Sequence, residues 1–65
     1  MDKRYWVEEL VAVGADDGEW EPQDSFDKEF DANANAKSRI KPTQYGDSGV
    51  RVFDTVEQKI VWTNC

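Results

Sequence analysis

Histidine is missing from this 65-residue chain, cysteine occurs once, proline twice and glycine four times. Without an imidazole the usual general base at neutral pH is gone, and with it imidazole metal ligation and any Ser-His or Cys-His nucleophile pair. The single Cys65 permits no intrachain disulfide, so a reducing, cytoplasmic setting is the expectation. The four glycines, at 14, 18, 46 and 49, belong to two separate turn clusters and form no phosphate-cradling loop. The longest apolar run is Leu10-Val11-Ala12-Val13, far short of the roughly 20 residues that cross a bilayer. No membrane span is expected. The N-terminal Met1-Asp2-Lys3-Arg4 meets Glu8 and Glu9 before any useful apolar core, which does not read as a secretion signal.

What the chain does have is enough apolar area for one small core. Hydrophobic residues make up 38% and aromatics 12%, which argues against disorder over the full length. A domain of about 60 residues buries only about 60% of its unfolded surface, so a single domain, residues 1–65, is expected.

Tyr5 to Val13 reads as a strand: Tyr5, Val7, Val11 and Val13 share one face, and Trp6, Leu10 and Ala12 the other. Glu9 interrupts the first face, calling for a bulge or for partial cover on both faces; a short helix is the competing reading. Gly14-Ala15-Asp16-Asp17-Gly18 reverses the chain. A second arm, Glu19 to Gln23, puts Glu19 and Glu21 on one face and Trp20 on the other, and Pro22 confines it to a sheet edge.

A helix follows. Asp24, Ser25 or Asp27 can cap it, Asp27 and Glu29 suit its positive end, and Lys37, Arg39 and Lys41 suit its negative end. Pro42 stops it near Ser38 to Ile40. The expected buried side is Phe26, Phe30, Ala34 and Ile40, with Ala32 and Ala36 permitting close approach to a sheet. After the turn cluster Tyr45 to Gly49, two strands, Val50 to Thr55 and Lys59 to Thr63, form an antiparallel hairpin. The fold class expected is α+β, in the order β(β)αββ, with one helix packed on a three- or four-stranded antiparallel sheet.

The carboxylate pairs Glu8/Glu9, Asp16/Asp17 and Glu19/Glu21 lack the cleft that would separate their pKa values for acid–base work. The acids from Asp16 onward do not follow the spacing of a calcium loop. No catalytic residue, metal or cofactor is expected, and an enzyme is disfavoured. Trp6 and Trp62 fit apolar strand patterns and read as core or cross-strand neighbours, whereas Trp20, between two glutamates and a proline, stands where an aromatic can mark a contact surface.

Charge is segregated. Between residues 8 and 31 ten acidic side chains oppose Lys28 alone, although the whole chain carries a formal charge of only −6. The expectation is one negative end, built from Asp16, Asp17, Glu19, Glu21, Asp24, Asp27, Glu29 and Asp31 with Trp20 as its aromatic anchor, that docks on a protein partner with a basic surface. The same field disfavours direct nucleic-acid binding, and Lys37, Arg39, Lys41 and Arg51 are assigned to the helix C-terminus and the solvent face of the sheet. The alternative is a structural α+β domain, monomer or homodimer, that self-associates through a strand edge.

In its acidic span Asp16 to Asp31 and its compact Val50 to Trp62 hairpin, the chain resembles the small acidic accessory proteins that bacteriophages and mobile elements direct against host machinery. The resemblance is one of general character and assigns no residue. It implies an inhibitor or nucleic-acid mimic acting on a nucleic-acid-binding protein.

Overall fold

A computed structural model describes residues 3–13, 17–43 and 46–64. The elements are β1 (Tyr5–Val13), β2 (Asp17–Phe26), α1 (Glu29–Ser38), β3 (Pro42–Thr43), β4 (Gly46–Asp47), β5 (Val50–Asp54) and β6 (Lys59–Thr63). Four strands form an antiparallel sheet in the order β2-β1-β5-β6, and α1 packs against it. The expected α+β arrangement is therefore the observed one, with β3 and β4 added as a two-residue ladder that the sequence pattern did not announce.

β1 is the spine of the sheet. It pairs with β2 over its whole length, from Tyr5 opposite Phe26 to Val13 opposite Asp17, but with β5 only from Tyr5 opposite Asp54 to Glu9 opposite Val50. The β1–β2 hairpin thus extends beyond its neighbours, in keeping with a molecule of 33 × 20 × 16 Å. Glu9 does not bulge β1; the extra residue is Gln23 in the partner strand, between the pairs Val7–Asp24 and Glu8–Pro22. A second bulge, in β6, leaves Val61 without an opposite number in β5. Pro22 lies on an edge strand, as its missing N–H requires.

The period of two decides what is buried. Tyr5 and Val7 of β1 and Val50, Val52 and Asp54 of β5 point to the helix side, where Ala32 and Ala36 meet them. Phe26, Ile40, Val61 and Trp62 pack around this cluster. The expected helix stripe is corrected here, because Phe30 is 81% exposed and Ala34 is exposed too, while the two alanines one turn apart at 32 and 36 are fully buried. The geometry explains the choice. Phe30, Ala34 and Lys37 share one helix face, so burying Phe30 brings a lysine into the core, whereas the alanine face lets the helix approach the valines closely.

The helix also starts later than the cap candidates suggest. Asp24, Ser25 and Phe26 stay in β2, the N-cap position is Lys28, and no side chain caps the first turn. Asp24 instead accepts from the Ser25 backbone N–H at 2.8 Å. Arg39 ends the helix, its N–H donating to the Ala36 carbonyl and its Nε to Asn35 Oδ1 at 2.6 Å. Asn33 Oδ1 is buried with no hydrogen-bond partner, a local cost of the helix docking.

One buried charge closes the lower end of the sheet. Asp54, 1% exposed, accepts from Arg4 Nε at 3.0 Å and Nη2 at 2.9 Å, and from the Val56 and Glu57 backbone N–H groups. The Arg4 hydrogen bonds, aided by those two amides, outweigh the penalty of burial and hold the Asp54 carboxyl at about 2.

Candidate protein-docking surfaces

The acidic residues divide into two groups, one along β2 and one beyond its C-terminal end. By register, Glu19 and Glu21 lie on the helix side of β2, Glu19 opposite Val11 and Glu21 opposite Glu9. Two glutamates directly across a strand pair repel, which the fold tolerates at a cost. Asp17 closes the ladder opposite Val13, its side chain outside the described set, and Asp16 lies outside the described residues altogether.

The second group sits where β2 passes into the helix, beside the Tyr5–Phe26 pair. Asp27, Glu29 and Asp31 are all exposed there, Glu29 and Asp31 in the first turn of α1. Their charges favour the positive end of the helix dipole. Among the described residues none of Glu19, Glu21, Asp27, Glu29 or Asp31 has a cation within 4.0 Å. Lys28 is the one basic residue in the run, and it too makes no ion pair within that set.

Asp24 lies between the groups and leans toward Arg39 at 3.9 Å. The single negative end expected from the sequence is thus two separate acidic surfaces with an Asp24–Arg39 contact between them.

Trp20 belongs to neither. It projects from the other face of β2, half-buried, with the Arg51 guanidinium 4.3 Å from its ring centroid. Arg51 in turn donates from Nε to Glu8 Oε1 at 2.6 Å, so acid, guanidinium and indole form one stack across β1, β5 and β2. Trp6 is a cross-strand neighbour of Phe53 on that same face, its indole N–H donating to the Lys3 carbonyl at 2.9 Å. Trp62 is opposite Val52 on the helix side.

The aromatic residue that does stand among carboxylates is Phe30, between Glu29 and Asp31 on the outer face of the helix. A signal for it was present in the sequence: Lys37 lies seven residues on, on the same helix face. The Arg51–Trp20 contact needed the strand register, which the composition of β1 and β5 does not specify.

Among the described residues no group of three potential metal-ligating side chains is found, and no helix is long and apolar enough to cross a membrane. No protein-family model matches the chain, and neither the curated proteins nor the solved structures contain a match.

Proposed function

We propose that this protein is a non-enzymatic binding module that presents carboxylates to a basic, nucleic-acid-binding protein and acts there as an inhibitor by occupying a groove meant for phosphates. The observation that carries this reading is Phe30: a large aromatic side chain, 81% exposed in the first turn of α1, with Glu29 and Asp31 next to it in sequence and Asp27 just before the helix, none of these acids ion-paired among the described residues. Exposed aromatics surrounded by polar groups supply the anchors of protein interfaces, and complementary charge speeds their encounter. Glu19 and Glu21, two residues apart along β2 and so about 6.8 Å apart, offer further carboxylates, with Glu9 of β1 opposite Glu21.

The test is capture of nucleic-acid-binding proteins from lysate by the immobilised full chain, with double-stranded DNA as competitor and a salt series. The expected outcome is retention of such proteins at low salt, displacement by DNA, and at least a tenfold loss with Phe30→Ser or with Asp27→Asn, Glu29→Gln and Asp31→Asn combined. Retention that ignores DNA, or that both variants leave intact, overturns the proposal.

A further inference from the structure

Among the described residues α1 is the one element packed on the sheet, and it covers only one of its sides. That open side carries Trp6, Leu10, Trp20, Phe53 and Ile60, of which Leu10 is 42% and Ile60 is 40% exposed. We propose that it is the contact surface of a two-fold homodimer, two sheets closing face to face.

Charge selects the occupant. Of the described strand residues on this side only Glu8 and Arg51 are ionic, and they already satisfy each other at 2.6 Å beneath Trp20. The excess of acid lies on the helix side and at the helix start, so for two copies, each of net charge −6, repulsion is least when they meet through this neutral face. Closing it buries no unpaired charge, because the ion pair is complete within one copy.

Area selects the strength. Four strands at about 4.8 Å spacing, with the hairpin extension, present on the order of 500 Å² per copy. Two copies then bury about 1,000 Å², the lower limit for a specific interface, which implies a weak dimer. The same closure extends a core that comprises only Tyr5, Val7, Ala32, Ala36, Val50 and Val52 among the described residues. The contact is isologous, as a two-fold axis requires.

This surface is distinct from the one assigned to a basic partner, so the two proposals fail separately. Sedimentation velocity of the full chain across a concentration series is expected to show a monomer–dimer equilibrium in the micromolar range or weaker, with little dependence on salt. Leu10→Glu and Ile60→Glu, at positions already partly exposed, are expected to weaken it at least tenfold, and Glu19→Gln with Glu21→Gln to leave it unchanged. In the unmodified chain, NMR indole resonances of Trp6 and Trp20 are expected to shift on dilution while that of Trp62 stays fixed, a readout that holds even where a variant fails to fold. A monomer at every concentration overturns the proposal, as does a dimer that both Glu variants leave intact or a dilution shift confined to Trp62.

Discussion

The two sides of the sheet are built from alternate residues of the same strands, yet they meet different ends. On the helix side Val7, Val50 and Val52 lose all contact with solvent against two alanines. On the bare side larger residues, Trp6, Trp20 and Phe53, are only half-buried. Residue size therefore does not rank burial in this fold. The ten-residue α1, the one second layer among the described residues, buries the valines beneath it, while on the other side Glu8 is buried with its Arg51 pair.

The comparison is broken most severely at Asp54. Replacing it with alanine leaves Arg4 and two backbone amides without their acceptor, and urea denaturation is expected to register a larger loss of stability than truncation of any core valine. Because folding lowers this carboxyl from its ordinary 3.8 to about 2, its contribution is fully present above pH 3.8 and is lost as pH falls through about 2. The acid limb of a stability–pH curve is expected to flatten in the variant.

Val52→Ala, on the covered side, is expected to cost roughly 2 kcal/mol by thermal melting. Phe30→Ala, which removes a larger side chain from outside that side, is expected to fall within about 0.5 kcal/mol of the parent. A parity between these two would mean that the helix docks by its other face. Between them in size and opposite in sign, Asn33→Ala is expected to stabilise by about 1 kcal/mol, since it removes a buried unpaired carbonyl and improves helix propensity.

Much of this fold was legible in residue order. The strands Tyr5–Val13 and Lys59–Thr63 lie where the sequence places them, although a bulge at Val61 breaks the alternation of the second, and the turn formers between β1 and β2 predict the hairpin that the register shows. Two features escaped for physical reasons. The helix stripe went to the smaller residues because close approach to a valine sheet outweighed the burial of one phenylalanine. The acidic residues separated because β2 continues to Phe26, carrying Asp27, Glu29 and Asp31 away from Glu19 and Glu21 by roughly the length of five extended residues, about 17 Å. Charge density along a chain does not specify charge density in space until strand lengths are known.

The unmatched residues Gln23 and Val61 sit in the two outermost strands, β2 and β6. Each kinks the rim on which another chain would have to lay itself, and Pro22 removes one donor beside the first kink. Ribbon-like growth, strand upon strand without end, is thereby interrupted at both margins. An arrangement of this kind favours closed contacts between copies over open-ended ones.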